Sequence, residues 1–165
     1  MSQRVAIILV ATGPYRRFLP QSLSSLRNRL FVDHERRFFV FTDDTDLNQS
    51  EVTALYIPHL SWPHNTLFRY HYMHHIRGDL ADADVVIYID VDMVVETDVR
   101  LSQVVTPETA YFGVQHPWHG PDAGTFEANP ASTAWIDRST SDTTTYWQAC
   151  FWGGRAGKVV DMVEI

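Results

Sequence analysis

Two aspartates, Asp90 and Asp92, interrupt an apolar run at residues 85–95 that reads VVIYIDVDMVV. Such a run is typical of a buried strand, where carboxylates are costly unless they have partners. Because side chains two residues apart on a strand share one face, both carboxylates can reach one divalent cation just past the strand end. Hard oxygen ligands favour Mg²⁺ or Mn²⁺, and such an ion stabilises a departing diphosphate. The pair therefore predicts a metal site for phosphorylated ligands.

Two other interpretations fit the same aspartates. Both side chains can cap a turn without any ligand, since short Asp-x-Asp matches are common. The string DVDMV at residues 90–94 also resembles the start of haloacid-dehalogenase-type phosphatases, in which the first aspartate is the nucleophile and the second the acid/base. In those enzymes the motif usually follows the first core strand. Here three predicted strands precede the strand that carries the motif. The metal site remains the favoured interpretation.

The histidines offer a further candidate for metal binding. His71 shares a predicted helix face with His74 or His75, a spacing that allows zinc binding. No cysteine cluster or His-Glu-x-x-His pattern accompanies them, so a solvated polar face is favoured. His116, which precedes Pro117 at a predicted strand end and the start of a long loop, is the better functional candidate.

Composition restricts the class of protein. The 165 residues carry a net charge of −7, which disfavours general nucleic-acid binding because phosphate backbones are repelled. Cys150 is the only cysteine, so an intrachain disulfide is impossible. This removes one argument for a secreted protein. The apolar run at residues 5–11 is far shorter than the roughly 20 residues of a membrane helix. These features predict a single cytoplasmic domain without a membrane span.

The elements that position these residues alternate between strands and helices. Strands are predicted at residues 4–11, 37–42, 52–57, 85–89, 110–115 and 146–152. This alternation predicts an α/β fold with a mainly parallel sheet. In such sheets ligands bind beyond the carboxyl ends of the strands, which is where Asp90 and Asp92 lie.

Three helices are predicted between or after these strands. The first presents one apolar face formed by Leu19, Leu23, Leu26 and Leu30. The second covers residues 65–76, with Asn65 as its cap and Gly78 as its end. Gly153 and Gly154 are expected to break the last strand, and a third helix is expected to begin at Arg155.

Six segments carry a resemblance to a known family. They are VATGPY (10–15), LFVDHERRFFVFTDD (30–44), SWPHNTLFRY (61–70), VVIYIDVDMVV (85–95), FGVQHPWHG (112–120) and YWQACFWGG (146–154). In this order they resemble segments of glycosyltransferase family six, which includes the blood-group A and B transferases and the α1,3-galactosyltransferases. The resemblance implies a GT-A (Rossmann-like) fold in a single domain over residues 1–165. It also implies transfer of galactose or N-acetylgalactosamine from a UDP-sugar to an oligosaccharide, in α linkage and with retained configuration.

The resemblance also implies roles for individual residues. It assigns manganese, or magnesium in its place, to Asp90 and Asp92, and the diphosphate to the segment Asp90, Val91 and Asp92. It assigns the uridine to Val10, Ala11, Tyr15 and Asn65, the donor sugar to Arg69, and the acceptor to His116. It assigns the choice of donor sugar to Gln148, Ala149 and Cys150. From the residues alone, Tyr15 also fits a packing contact with the first helix, Cys150 a core position and Arg69 a solvated helix position.

The chain departs from the family pattern at several positions. Val10 replaces a frequent phenylalanine, and Cys150 replaces a glycine or alanine, which leaves the donor sugar open. The Asp-Val-Asp string stands where many bacterial members have Asn-x-Asn, so metal dependence is expected. The family's Trp-His-Asp-Glu-like stretch, with the carboxylate under the reacting sugar, would lie beyond Ile165. The catalytic carboxylate is therefore unassigned, and we expect slow transfer or none from this chain alone, with self-association through exposed apolar surface.

A competing hypothesis from another functional class is a non-catalytic nucleotide- or carbohydrate-binding module. Trp118 and Trp135 stand in a long stretch rich in small and polar residues, and such indoles suit stacking on sugars. Tight glycan binding that needs no metal would favour this module. Phosphate release from a generic ester, abolished by Asp90→Asn, would favour the phosphatase instead.

Overall fold

The computed structural model describes residues 2–117, 126–137, 139 and 145–164. The strands are β1 (Arg4–Ala11), β2 (Glu35–Thr42), β3 (Val52–Tyr56), β4 (Val85–Ile89), β5 (Tyr111–Gln115) and β6 (Trp147–Arg155). The helices are α1 (Leu19–Arg29), α2 (His64–Leu67), α3 (Arg69–His75), α4 (Arg77–Ala81) and α5 (Ala156–Val163), with 3₁₀ turns at Gly13–Phe18 and Leu101–Gln103. All six predicted strands are present, with boundaries shifted by at most three residues.

The six strands form one mixed sheet in the order β3-β2-β1-β4-β6-β5. Strand β1 pairs in parallel with β2 and with β4, so that Ile8 lies opposite both Phe39 and Tyr88. Strand β3 extends the parallel part beyond β2, and β6 pairs antiparallel with β4. The predicted α/β fold with a mainly parallel sheet is confirmed.

Apolar side chains cover both faces of the central strands. On one face Ile7 and Leu9 of β1 pack with Leu23 and Leu26 of α1. On the other face Ile8 packs in a cluster that receives side chains from α3, α4 and α5. This two-sided burial explains why β1 and β4 are almost uninterrupted apolar runs, as parallel strands between helical layers are. Leu19, Leu23, Leu26 and Leu30 are all buried, which confirms the predicted face of the first helix.

The end of α1 is held by a side chain from the neighbouring strand. Nη1 of Arg36 lies 3.1, 2.9 and 2.9 Å from the carbonyl oxygens of Leu26, Arg27 and Leu30. These carbonyls belong to the last turn and its cap, where intrahelical donors become scarce, although that of Leu26 also accepts from the Leu30 amide at 3.0 Å. A charged donor shared by three such oxygens therefore fixes the helix end against β2.

We expect Arg36→Met to lower the free energy of unfolding by about 2 kcal/mol, because it leaves these carbonyls without a charged donor. For a domain of this size the melting temperature should fall by roughly 4–8 °C. The matched control is Arg37→Met, which removes an exposed ion pair to Asp79 at 3.6 Å and should cost roughly 1 kcal/mol or less. Equal losses in the two variants, measured by urea unfolding, would contradict this role of Arg36.

The prediction of one continuous helix over residues 65–76 was wrong. Three short helices, α2, α3 and α4, occupy this region, and the joints at Phe68 and Ile76 have ψ angles of 0° and 17°. Asn65 lies inside α2 and bonds to other segments instead of capping the helix. Gly78 lies inside α4 rather than ending the second helix. The buried Ile76 side chain shows that core packing overrides the simple helical pattern here.

The expected break at Gly153 and Gly154 was also wrong, because β6 continues through both glycines. A Cβ on Gly153 would overlap the carbonyl oxygen of Val86, and one on Gly154 would overlap that of Ala110. Glycine is therefore required here for close approach of neighbouring backbones, not for a turn. The third helix follows directly at Ala156, one residue later than predicted.

The chain divides into two compact units, Met1–Phe112 with Cys150–Ile165 and Gly113–Ala149. In the second unit the His116 amide donates to the Tyr146 carbonyl at 2.9 Å, and Phe126 meets the Tyr146 ring edge-on at 5.1 Å. Trp118 lies outside the described residues, and Trp135 is 37% exposed. The single GT-A-like domain over residues 1–165 stays a prediction. In the part of the chain described, no helix has the length and apolarity needed to cross a membrane.

Candidate active site

A cavity of about 220 Å³ lies at the carboxyl ends of the parallel strands in the first unit. It is lined by Val10, Thr12, Tyr15, His59, Leu60, Trp62, Asn65, Thr66, Tyr88, Asp90, Val91 and Asp92. These residues come from the end of β1, the segment after β3, helix α2, and the end of β4. The cavity therefore occupies the place where open α/β sheets bind ligands.

The two predicted metal ligands both line this cavity. Asp90 follows β4 directly, and its amide donates to the Cys150 carbonyl at 2.8 Å. The hydroxyl of Tyr88 donates to Oδ1 of Asp90 at 2.9 Å, which orients that carboxylate. Asp92 is exposed to solvent, whereas Val91 between them is buried in the core. The sequence thus places two carboxylates on one cavity wall and anchors the strand end between them.

Burial is the largest influence on the electrostatics of Asp90. Burial raises the pKa of this carboxyl; the hydrogen bond from Tyr88 and the charge of Arg69 act in the opposite direction, and the charge of Asp92 adds to the rise. Burial, followed by the charge of Asp90, also raises the pKa of Tyr88, so its hydroxyl keeps the proton that it donates. A divalent cation would compensate two carboxylates placed in this way.

The donor set fits a hard divalent ion that keeps exchangeable ligands. Within the described ranges, no group of three or more His, Cys, Asp or Glu side chains could hold a metal ion. Two carboxylates are a typical protein contribution to Mg²⁺ or Mn²⁺, with water and phosphate oxygens completing the coordination. The residues present therefore fit an ion that binds together with a phosphorylated ligand.

A stack of side chains holds Tyr88 in place. The Trp152 ring stacks on Tyr88 at 5.5 Å and also meets Tyr70 at 5.5 Å. The Arg69 guanidinium lies 4.8 Å from the centre of the Tyr88 ring, and its Nε donates to the Thr66 carbonyl at 2.7 Å. Because these contacts hold the Tyr88 ring, they also fix the direction of its hydroxyl towards Asp90.

A polar network joins three segments at the part of the cavity that Thr12, His59 and Asn65 line. Nδ2 of Asn65 donates to Oγ1 of Thr12 at 2.7 Å and to the Leu60 carbonyl at 3.3 Å. The Tyr72 hydroxyl donates to Oδ1 of Asn65 at 2.8 Å, and Nδ1 of His59 lies 3.1 Å from Oγ1 of Thr12. The network thus ties the end of β1 to the segment after β3 and to helices α2 and α3.

Gly13 allows this network to close. Its φ is +52°, and its amide donates to Oδ1 of Asp43 at 3.0 Å. A Cβ at Gly13 would lie 2.6–2.8 Å from three atoms of the His59 imidazole. The turn after β1 therefore needs glycine both for its left-handed backbone and for the close approach of the ring.

We expect Gly13→Ala to lower the free energy of unfolding by about 2 kcal/mol, since left-handed backbone costs alanine roughly 1–2 kcal/mol before the ring is displaced. Urea unfolding measures this loss. Gly78→Ala is the control, because a Cβ there meets nothing within 4 Å and alanine suits a helix better than glycine. A Gly13→Ala protein as stable as the Gly78→Ala protein would contradict the proposed packing.

The residues predicted to contact the donor separate into two groups. Val10, Tyr15, Asn65 and Val91 line the cavity together with the aspartates, and Tyr15 is 52% exposed there. The side chain of Ala11 is buried in the α1 side of the core, so a ligand could meet only its backbone. Alternation along β1 causes this difference, because neighbouring residues face opposite sides of the sheet.

The donor and acceptor positions outside this cavity have different surroundings. Arg69 is only 6% exposed and does not line the cavity, so the interpretation as a solvated helix residue was wrong. Cys150 is buried, and burial, followed by the charge of Asp90, raises the pKa of its thiol. Gln148, Ala149 and His116 belong to the second compact unit.

Several cavity residues were not predicted as site residues. They are Thr12, His59, Leu60, Trp62, Thr66 and Tyr88. Thr12 and His59 follow β1 and β3 within three residues, so the rule that pointed to Asp90 applies to them as well. Tyr88 precedes Asp90 by two residues and is the one hydroxyl in an otherwise aliphatic strand. Their convergence depends on the sheet order, which the sequence does not specify.

The six-stranded, mainly parallel mixed sheet between helical layers is that of a GT-A (Rossmann-like) α/β fold. The family model described as glycosyltransferase family 6 matches residues 2–165, and the chain belongs to that family. It is also similar to the O-antigen biosynthesis glycosyltransferase WbnI of Escherichia coli. The two are 22% identical over 167 residues, which cover 98% of this chain and 70% of that protein. Family membership makes the chain a transferase that acts on a sugar donor and an acceptor.

Proposed function

We propose that this transferase moves galactose or N-acetylgalactosamine from a UDP-sugar to an oligosaccharide in α linkage, with retained configuration. The observation that carries the proposal is the position of Asp90 and Asp92, which line one cavity with Tyr15 at the carboxyl ends of β1 and β4. Carboxylates suit a metal–diphosphate, and an exposed ring suits a nucleobase.

In this proposal Asp90 and Asp92 hold Mn²⁺, or Mg²⁺ in its place. The ion would neutralise the charge that develops on the departing diphosphate. Tyr88 orients the Asp90 carboxylate through its hydrogen bond, and the stack on Trp152 keeps the tyrosine in register. The chain's own side chains make both contacts, and fixed groups of this kind favour electrostatic stabilisation of a developing charge.

The donor sugar lies near the carbonyl of Cys150 in this proposal, because that carbonyl bonds the Asp90 amide. Cys150 is bulkier than the glycine or alanine typical of the family, which favours the smaller galactose over N-acetylgalactosamine. Gln148 and Ala149 precede it on β6 and are the further candidates for sugar choice. Arg69 serves the donor indirectly, since its guanidinium packs on Tyr88.

The acceptor is proposed to be a glycan, with His116 among its contacts. The name of the similar E. coli protein refers to O-antigen biosynthesis, which supports a bacterial oligosaccharide as acceptor. This acceptor proposal depends on the aspartates, because transfer to a glycan requires a donor whose diphosphate is bound through the metal.

A long incubation with UDP-galactose or UDP-N-acetylgalactosamine tests this function, with water taking the sugar in place of the glycan and the released UDP as the readout. In Mn²⁺ we expect slow release of UDP, faster from UDP-galactose than from UDP-N-acetylgalactosamine. In a chelator we expect no UDP release above background. UDP-glucose serves as the control for donor choice. Phosphate release from p-nitrophenyl phosphate that Asp90→Asn abolishes would support a phosphatase and contradict the proposal. Tight glycan binding without UDP release or metal dependence would support a binding module.

A further inference from the structure

The polar network around Thr12 determines which nitrogen of His59 carries its proton. The starting point is the Asn65 amide. Its Nδ2 side faces the Leu60 carbonyl at 3.3 Å, and a carbonyl oxygen only accepts hydrogen bonds. The amide nitrogen must therefore lie on that side, and the same nitrogen donates to Oγ1 of Thr12 at 2.7 Å. In this orientation the Tyr72 hydroxyl donates to the amide oxygen at 2.8 Å, so that oxygen is satisfied as well.

The hydroxyl of Thr12 then has one proton to donate. Thr12 is only 4% exposed, and within the described chain its Oγ1 has two partners, Asn65 and His59. If Nδ1 of His59 were protonated, the Thr12 proton would have no acceptor among the described residues, at a cost of roughly 1–3 kcal/mol. The favoured arrangement has Thr12 donating to Nδ1 at 3.1 Å, so the proton of the neutral imidazole lies on Nε2.

His59 therefore offers the cavity a hydrogen-bond donor. Its ring is exposed, lines the cavity and packs over Gly13, and Nε2 has no hydrogen-bond partner among the described residues. Thr12 blocks the other tautomer, in which Nε2 would accept. The position consequently favours a ligand acceptor over a ligand donor.

The sheet order indicates which part of a nucleotide would meet this donor. In the order β3-β2-β1-β4, Asp90 and Asp92 follow β4, Thr12 follows β1, and His59 comes from the segment after β3. His59 thus reaches the cavity from the side away from the carboxylates. A nucleotide with its diphosphate at the carboxylates would direct the outer edge of its base towards His59. In uracil that edge has a carbonyl at position 4, and in cytosine it has an amino group.

We propose that His59 selects the base, with Nε2–H donating to the position-4 carbonyl of uracil and Thr12 fixing the tautomer. This inference rests on the proposed function, since it requires a nucleoside diphosphate in the cavity. Cytosine would place an amino group against the imidazole N–H, and two donors that face each other bind poorly. His59 would then be a specificity-determining residue, distinct from the groups that hold the diphosphate.

The test compares the affinities of UDP and CDP by calorimetry at pH 8 in Mn²⁺. We expect the intact chain to bind UDP at least about 10-fold more tightly, which corresponds to roughly 1.4 kcal/mol. His59→Asn keeps an acceptor for Thr12 but loses the Nε2 donor, and it should bring the two affinities within about 2-fold. His59→Gln, whose amide can place an N–H near Nε2, should retain part of the preference for UDP.

Two further variants separate this role from a structural one. Thr12→Val leaves His59 in place but removes the hydroxyl that donates to Nδ1 and fixes the tautomer. The ratio of UDP affinity to CDP affinity should therefore fall, while UDP still binds. His34→Asn is the matched control, because Nδ1 of His34 also accepts a hydrogen bond, from the Gln3 amide at 2.9 Å, but lies outside the cavity. It should leave the ratio of the two affinities unchanged.

The outcomes distinguish the two levels of the argument. A chain that binds neither UDP nor CDP contradicts the proposed function itself. Binding of UDP with equal or tighter binding of CDP contradicts the role of His59 and leaves the metal–diphosphate site intact. The role of His59 is also contradicted if the His59→Asn protein keeps the full preference for UDP over CDP and has normal thermal stability.

Discussion

Asp92→Asn is expected to weaken metal-dependent binding of UDP by at least about 100-fold, or roughly 3 kcal/mol. Asp92 is exposed and lines the cavity, so the substitution removes the charge of a proposed metal ligand without disturbing the core. An amide is a poorer ligand than a carboxylate for hard cations, and it leaves the charge of a metal–diphosphate less well balanced. Calorimetric titration of UDP in Mn²⁺ measures the loss.

The control for this experiment is Asp161→Asn, which makes the same change in charge on the surface of α5. Asp161 lies 3.6 Å from Lys158, and both side chains are exposed. An exposed pair of this kind contributes little, so folding and UDP binding should both be unchanged. UDP affinity in the Asp92→Asn protein equal to that of the Asp161→Asn protein would remove Asp92 from the metal site.

Gly153→Ala is expected to leave no stably folded protein. Its Cβ would overlap the Val86 carbonyl oxygen and lie 2.8 Å from Cζ of Phe112 and 3.0 Å from the Cα of Ile87. Rigid backbone on a central strand cannot move aside, and the loss should exceed about 4 kcal/mol, a large part of the stability of a typical domain. Circular dichroism on heating, together with the soluble yield, measures the outcome.

Gly157→Ala provides the matched comparison. Gly157 lies in α5, where a Cβ would meet nothing within 4 Å. Alanine there should stabilise the protein by roughly 0.5–1 kcal/mol, because glycine is the poorer helix former. A cooperative melting transition in the Gly153→Ala protein near that of the unsubstituted chain would show that β4 and β6 do not approach as described.

The strands were predictable because their burial leaves a strong local signal. Strands β1 and β4 lie between two helical layers, so their sequences are apolar on both faces. The face of α1 was equally clear, since its leucines recur at helical spacing and all are buried. The region after β3 gave a misleading signal, because its helical pattern continues across joints at Phe68 and Ile76 that tertiary packing imposes.

The two glycines of β6 show a second limit of local interpretation. Paired glycines usually indicate a turn, but Gly153 and Gly154 lie within a strand because neighbouring backbones approach them closely. That approach depends on which strands flank β6, and nothing in the local sequence specifies its neighbours. The same limit applies to Ala11, whose burial depends on the register of β1 against α1.

The candidate site was predictable where a residue contradicts its surroundings. Asp90 and Asp92 stand out because they interrupt an apolar run, and both line the cavity. Thr12, His59 and Asn65 give no such local signal, since each is an ordinary polar residue near the end of an element. They come together only because β1 and β3 end on the same edge of the sheet and Gly13 lets the imidazole approach.

The most direct test of the central claim is a calorimetric titration of UDP into the chain, in Mn²⁺ and in a chelator. We expect one UDP to bind per chain in Mn²⁺ and at least about 100-fold weaker binding in the chelator, because Asp90 and Asp92 would otherwise face the diphosphate unshielded. Equal affinity in the two conditions, or no binding in either, would contradict a metal–diphosphate site at the end of β4.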